Sequence, residues 1–179
     1  IRLLLTSAHL LTSPAMSPKW SDRLISALHR QLGPFEPHEA EQLLRKPIPS
    51  FPDKVFPDAV AKKILEQTGT HPFLIQAVGY EVVQLLVKEN RDAATLEDAE
   101  MALASALNAT PKLLFGNLWG EHLTKDEREV MRALADGQRV DTSTKVFRGL
   151  KSQFYVRLTD EGTPALKFPL FGRWIRENT

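Results

Sequence analysis

The chain has 179 residues, 42% of them hydrophobic, and a formal net charge of +1. It can therefore bury an ordinary core in one domain or in two small ones, and its charge indicates neither a nucleic-acid coat nor an acidic tail. The absence of cysteine excludes disulfide scaffolds, zinc ribbons and thiol nucleophiles, and it is compatible with the cytoplasm, where we expect the protein to be. The most apolar run, "PFLIQAVGYEVVQLLV", is too short and too polar to span a bilayer, so no membrane partner is expected.

The first residues, "IRLLLTS", form a short apolar run that ends in the hydroxyl residues Thr6 and Ser7. Such a run is typical of a strand buried on both faces of a parallel sheet, where its neighbours must come from the same sheet. Because the chain begins with Ile1 and not with Met, we expect this strand to be the last piece of an upstream core, with a stray edge strand as the alternative. A Ser- and Pro-rich loop follows, and a second short strand is possible before Gly33.

Four helices are predicted after this segment. They lie in the stretches "EPHEAEQLLRKP", "PDAVAKKILEQTG", "PFLIQAVGYEVVQLLVKEN" and "AATLEDAEMALASAL". Pro57 is expected at the first position of the second helix, and Gly69 is expected to end that helix in a left-handed conformation. Pro72 is expected to open the third helix, while Thr95 and Asp98 are spaced as a capping box before the fourth.

The C-terminal part begins with an aromatic helix in "TPKLLFGNLWGEHL". Thr124 and Glu127 are spaced as a second capping box in front of "KDEREVMRALADG", and a shorter helix follows in "DTSTKVFRGLKSQ". Two short strands flank the turn at Asp160, Glu161 and Gly162, and "PLFGRWIREN" closes the chain as a helix. The order helix, helix, hairpin is typical of a winged-helix domain.

These elements predict a mainly α protein in three parts. Residues 1–34 are the remnant of a core, residues 35–109 are a four-helix unit, and residues 110–179 are a winged-helix domain with a short β-hairpin. The five histidines have no second histidine or carboxylate at metal-ligand spacing, and the sequence has neither a Gly-rich phosphate loop nor a nucleophile elbow. No catalytic residue and no metal site are therefore predicted.

The order of several motifs resembles that of the STAND branch of AAA-type ATPases. "LGPFEPHEAEQLLRKP", "ILEQTGTHPFLIQAVGYEVV" and "TLEDAEMALASAL" resemble the four-helix lid of these proteins, and "LWGEHLTKDEREVMRALADG" with "KFPLFGRWIREN" resembles the winged helix that ends their bacterial and archaeal members. "RLLLTSAH" resembles the sensor-strand end of the same proteins. The stretch from Gly69 to Gly79 is similar to the corner of plant resistance and apoptotic ATPases that carries a Gly-x-Pro motif, whose proline packs on the adenine of bound ADP.

The resemblance implies a nucleotide-controlled switch. Residue by residue, it places Pro72, His71, Thr70 and Gly69 on the adenine side of an ATP or ADP site, and Thr6 and Ser7 at the end of the sensor strand. The nucleotide and its Mg²⁺ would be cofactors of an intact parent, because the phosphate-binding half is absent from these 179 residues, and no cofactor is expected for this chain alone. Ala8 stands where the family has a phosphate-sensing arginine, and Thr70 stands where it usually has a second glycine.

The implied partners are the upstream ATPase core of the same chain and, on activation, a protein partner or further copies in a homo-oligomer. A DNA-binding winged-helix regulator is the alternative, and a plain interaction scaffold is a third possibility. From Thr142 onward seven basic residues face three acidic ones, an excess of four positive charges. Because the predicted wing tip contains Asp160 and Glu161, which phosphates would repel, packing against the ATPase core or a protein is favoured over DNA binding.

Overall fold

Helices make up most of the protein in the computed structural model, which describes residues 33–108 and 110–179. The four-helix part consists of α1 (Pro37–Arg45), α2 (Asp58–Thr68), α3 (Pro72–Glu89) and α4 (Leu96–Asn108). All four helices lie where the sequence predicts them. The predicted start of α2 is wrong by one residue, since Pro57 is the residue before the helix and Asp58 is its first member.

The C-terminal part contains α5, a π-helical turn, α6, α7, a two-stranded hairpin and α8. Their bounds are Thr110–Asn117 for α5, Leu118–His122 for the π-helical turn, Lys125–Ala135 for α6, Lys145–Ser152 for α7, Val156–Leu158 for β1, Pro164–Leu166 for β2 and Pro169–Asn178 for α8. The strands pair antiparallel with Arg157 opposite Ala165, which confirms the predicted hairpin and a mainly α protein. The predicted aromatic helix is divided, because its second half adopts the wider π-helical turn.

The predicted sensor strand with Thr6 and Ser7 lies outside the described residues, as does the rest of residues 1–32. Residues 33–179 group into one compact unit. The division of this unit into a domain at 35–109 and a domain at 110–179 stays a prediction.

Capping residues fix the ends of several helices as the sequence predicts. Thr95 and Asp98 exchange backbone-to-side-chain hydrogen bonds at the start of α4, and Thr124 and Glu127 do the same before α6. Each such box satisfies two backbone N–H groups that a helix leaves unpaired at its first turn.

The core of the four-helix part is built around α3. Leu74, Ile75, Val78 and Val82 are fully buried on one side of this helix, which packs against α1, α2, α4 and α5. Each such side chain contributes roughly 1.5–3 kcal/mol of transfer free energy as an upper bound. Gly79 lets α1 approach, since a Cβ there would lie 3.2 Å from the Cδ1 atom of Leu44.

The last helix, α8, joins the two parts. It contacts α2, α4, α5 and α6 as well as β2. Its Phe171 stacks on Phe115 with ring centroids 4.8 Å apart, and Trp174 and Trp119 complete an aromatic cluster. The buried apolar residues of both parts therefore form one continuous core. None of the helices within residues 33–108 and 110–179 has the length and apolar character needed to cross a membrane.

Candidate functional site: the corner between α2 and α3

Gly69 ends α2 in the left-handed conformation that the sequence predicts, with φ 57° and ψ 32°. Its N–H donates to the carbonyl of Leu65, which closes the last turn. A Cβ at this position would lie 1.9 Å from the carbonyl oxygen of Lys167 and 2.8 Å from the ring of Phe168. Only glycine therefore fits, both because of its backbone conformation and because the chain between β2 and α8 passes directly over it.

Thr70 also has a positive φ, 61°, which is unusual for a β-branched residue. Two hydrogen bonds to Phe35 hold it there: the Thr70 hydroxyl donates to the Phe35 carbonyl at 2.7 Å, and the Phe35 N–H donates to the Thr70 carbonyl at 3.0 Å. A second glycine, as in the resembled family, would reach this conformation without strain. The Thr70–Phe35 bonds join the corner to the chain just before α1.

His71 is the N-cap residue of α3 and lies between the two parts of the protein. Its ring meets that of Phe168 edge to face, with centroids 5.3 Å apart. Burial lowers the pKa of His71, and its Nδ1 atom is out of solvent with no hydrogen-bond partner among the described residues. The imidazole is therefore neutral at pH 7 and acts mainly as a packing surface.

Pro72 occupies the first turn of α3, as predicted, and is half-buried, while the following Phe73 is 37% exposed. No side chain caps this helix start, so its first N–H groups are not satisfied by a side-chain oxygen. The corner thus presents a flat apolar ring beside backbone donors and the positive end of a helix dipole. This combination suits a flat heterocycle with hydrogen-bond acceptors.

The structure brings the four predicted corner residues together, and it adds three that sequence reasoning missed: Phe35, Lys167 and Phe168. Two of these are almost one hundred residues away along the chain, and no local pattern marks their contact with Gly69. The one available signal is the Phe-Pro pair at residues 168–169, which indicates a helix start preceded by an extended residue.

The second candidate surface is formed by α7 and the β1–β2 hairpin of the C-terminal part. Phe147 and Leu150 of α7 are buried, while Lys145, Arg148 and Lys151 are exposed. The hairpin turn at Asp160 and Glu161, with Gly162 at φ 76°, is exposed and acidic as predicted.

Carboxylates also border this surface between α6 and α7. Asp126, Glu129 and Asp141 line a shallow groove of about 430 Å³ there. The hydroxyl and N–H of Ser143 donate to Asp141 and lower the pKa of its carboxyl group, so it stays ionised. Negative charge therefore lies in the groove beside the start of α7 and, separately, at the exposed hairpin turn.

No group of His, Asp and Glu residues in the described ranges is arranged to hold a metal ion. Comparisons of the chain with protein-family models, with curated proteins and with solved structures found no match.

Proposed function

We propose that the chain is the lid and winged-helix portion of a nucleotide-controlled ATPase switch of the STAND type. In this proposal α1–α4 are the lid, and α6, α7 and the hairpin are the core of the winged helix. The portion contributes the adenine side of the ATP or ADP site and carries out no reaction by itself. The phosphates and Mg²⁺ are held by the upstream core of the same chain.

The observation that carries the proposal is the corner at Gly69–Pro72. Its left-handed glycine, its proline in the first helical turn and its uncapped helix start are similar to the corner of the resembled family. The glycine of the Gly-x-Pro motif itself is replaced by Thr70, so that Gly69 and Pro72 are three residues apart. A fixed proline ring at a helix start offers adenine an apolar face, and the dipole favours the electron-rich edge of the base.

A switch needs one nucleotide to favour one arrangement over another. The corner is suited to this role because it contacts both the chain before α1, through Phe35, and the chain before α8, through Phe168. A nucleotide in contact with Pro72 therefore binds to a corner that is connected to the chain before α1 and to the chain before α8. In the intact protein, ADP in contact with Pro72 therefore favours a closed arrangement, in which the lid remains packed on the nucleotide.

The test is ADP titration of the intact protein and of its Pro72→Ala variant. Losing a buried contact with the base costs about 1–2 kcal/mol, so we expect ADP to bind roughly ten-fold more weakly. The matched control is Pro57→Ala, which removes a proline from the opposite end of α2. It should leave the dissociation constant within about two-fold.

Two outcomes would overturn the proposal. One is unchanged ADP affinity in a folded Pro72→Ala variant. The other is an intact protein without a phosphate-binding loop before the present chain. The 179-residue chain by itself should bind ADP with a dissociation constant above about 100 μM, since most nucleotide affinity comes from the residues that hold the phosphates and from the metal ion.

A DNA-binding regulator is the second candidate, and the exposed basic face of α7 is the observation that favours it. The acidic hairpin turn and the carboxylates of the α6–α7 groove oppose it, because both would lie near phosphates in the usual docking mode. Only weak, non-specific association is expected, with a dissociation constant on the order of 10⁻⁴ M at physiological salt. A sequence-selective mobility shift at nanomolar protein would favour this candidate over the switch.

A further inference from the structure

One face of α3 is exposed and almost free of charge although the opposite face is the centre of the core. We name it the α3 seam and define it by Phe73, Gln76, Tyr80, Gln84 and Val87. Phe73, Tyr80 and Val87 are 37%, 62% and 71% exposed, and both glutamines are exposed. Side chains seven residues apart return to nearly the same face of a helix, so these residues form a single stripe.

The order of residue types in the seam is symmetric about Tyr80. A glutamine lies four residues before it and another four residues after it, and an apolar residue lies seven residues away on either side. A stripe with this order is complementary to itself when two copies run antiparallel. In a two-fold contact, residue i of one copy meets residue j of the other, and j meets i.

We propose that the α3 seam is a self-association surface on which two copies of the chain pack antiparallel about a two-fold axis at Tyr80. The pairing brings Phe73 onto the partner's Val87, Gln76 onto the partner's Gln84 and Tyr80 onto the partner's Tyr80. It rests on the exposure and order of residues in α3 and is independent of the proposed nucleotide site.

The chemistry of each pair is favourable. Phe73 and Val87 bury apolar surface, and two tyrosine rings can stack with an offset. Each glutamine amide has both donors and an acceptor, so Gln76 and Gln84 can satisfy one another across the contact.

Electrostatics does not oppose the contact. Glu81 is the one charged residue between Phe73 and Val87. Its carboxylate accepts a hydrogen bond from the Ser105 hydroxyl of α4 at 2.8 Å, which holds it toward α4 and away from the centre of the seam. Two copies therefore meet there without facing like charges, and the antiparallel helix dipoles attract.

The size of the surface sets the strength of the association. With about 150–250 Å² for a large side chain, the exposed fractions of the seam amount to on the order of 500 Å² per copy. The total of roughly 1,000 Å² is at the lower limit for a specific interface, so we expect a weak dimer that forms at tens of micromolar.

Sedimentation of the 179-residue chain from about 5 to about 200 μM tests this. We expect the weight-average mass to rise toward twice that of the monomer. Tyr80→Glu places two like charges on the axis and should weaken association at least roughly ten-fold. The control is Leu96→Glu, which changes a similarly exposed apolar residue, 53% exposed, on a different helix. It should associate like the unmodified chain.

A pair of double variants tests the antiparallel register. Gln76→Lys with Gln84→Glu brings opposite charges together across an antiparallel contact and should preserve or strengthen the dimer. Gln76→Lys with Gln84→Lys differs only in the sign of one charge and should abolish it. All four variants change exposed residues, and circular dichroism checks that they are folded.

The proposal is overturned if the unmodified chain stays monomeric at about 200 μM, in which case a different partner covers the seam. It is equally overturned if Tyr80→Glu associates as well as Leu96→Glu, or if the two double variants do not differ.

Discussion

Gly69 shows how a single residue can serve both local and long-range structure. The sequence predicts its left-handed conformation, because a glycine after a periodic helical stretch is a common helix end. The sequence does not reveal that the carbonyl of Lys167 lies where a side chain would be. That contact forms only when the C-terminal part packs onto α2.

We predict that Gly69→Ala is far more destabilising than an ordinary glycine replacement at positive φ. Left-handed alanine costs about 1–2 kcal/mol, and displacing the backbone at Lys167 should add about 2 kcal/mol or more. Urea unfolding monitored by circular dichroism measures the sum. Gly137→Ala is the matched control, since Gly137 has φ 71° but open space around it. Equal losses of unfolding free energy in the two variants would contradict the prediction, because they would show that the backbone at Lys167 moves aside at little cost.

Thr70 illustrates a different limit of sequence reasoning. Nothing in "QTGTHPF" predicts that a threonine follows the glycine into the left-handed region, because threonine normally avoids it. The conformation is maintained by the hydrogen bonds to Phe35, a residue 35 positions earlier. Local propensity is overridden here by a contact that the sequence does not encode locally.

Among elements, the α3–α4 hairpin contains a partly buried ion pair, in which the Asp98 side chain is buried and that of Arg91 is one-third exposed. The sequence predicts Asp98 as a member of a capping box, and its capping bonds are present. In addition, the Arg91 guanidinium donates two hydrogen bonds to the Asp98 carboxylate, at 2.8 and 2.5 Å. The pair connects the segment between α3 and α4 to the first turn of α4. The sequence does not predict this role of Arg91, because an arginine in a loop is equally compatible with a solvent-exposed side chain.

Asp98→Asn should reduce the free energy of unfolding at pH 7 by about 1.5–3 kcal/mol, since the Asp98 side chain is buried and its charge-assisted bonds are lost. The control is Asp92→Asn. Asp92 pairs with Lys54, but both side chains are more than half exposed, so the expected cost is about 0–1 kcal/mol. Chemical denaturation of both variants measures whether the Arg91–Asp98 pair contributes more to the free energy of unfolding than the exposed Lys54–Asp92 pair does.

The same pair predicts the acid behaviour. Hydrogen bonds from Arg91 hold the pKa of Asp98 well below its usual range. The unfolded state, with a pKa near about 3.9, therefore takes up this proton first as pH falls. The stabilisation is fully present above about pH 5 and is lost progressively below it. The difference in the free energy of unfolding between the unmodified chain and Asp98→Asn should accordingly stay constant above about pH 5 and shrink as the pH falls from about 5 to about 3.

The π-helical turn at Leu118–His122 is the element that the sequence predicts least well. Its residues continue a helical pattern, so one uninterrupted helix was expected. The wider turn places Trp119 against Phe171 and Trp174, with the Arg132 guanidinium 5.6 Å from its ring centroid. The change of helix type thus coincides with tertiary contacts of the aromatic cluster, which the local pattern does not show.

At the scale of the whole molecule, the single core predicts that the two parts unfold together. Phe171 is fully buried in α8 and stacks on Phe115. Phe171→Ala should cost about 3–5 kcal/mol. We expect amide-exchange protection to fall by the same free energy in α2–α4 and in α6–α8, because α8 contacts both parts. Leu158→Ala, at a residue 39% exposed, is the control and should change little. Loss of protection confined to α6–α8 would contradict a shared core.

The element order could be predicted over most of residues 35–179, because helix caps, prolines and apolar periodicity are local signals. The tertiary role of α8 could not be predicted. Its pattern shows that Phe171 and Trp174 lie on an apolar face, but not which helices cover that face. The same limit applies to the α3 seam, where periodicity alone does not tell which of two apolar stripes is buried.

The hydrogen bonds between Phe35 and Thr70 also have a mechanical consequence. A pull on the chain that arrives at Gly33 reaches Phe35 before it reaches the first turn of α1. Because the two bonds connect the same pair of residues, they share the load and resist it together. Tension is thus transmitted to Thr70, two residues from Pro72, and it bypasses α1 for as long as the two bonds hold.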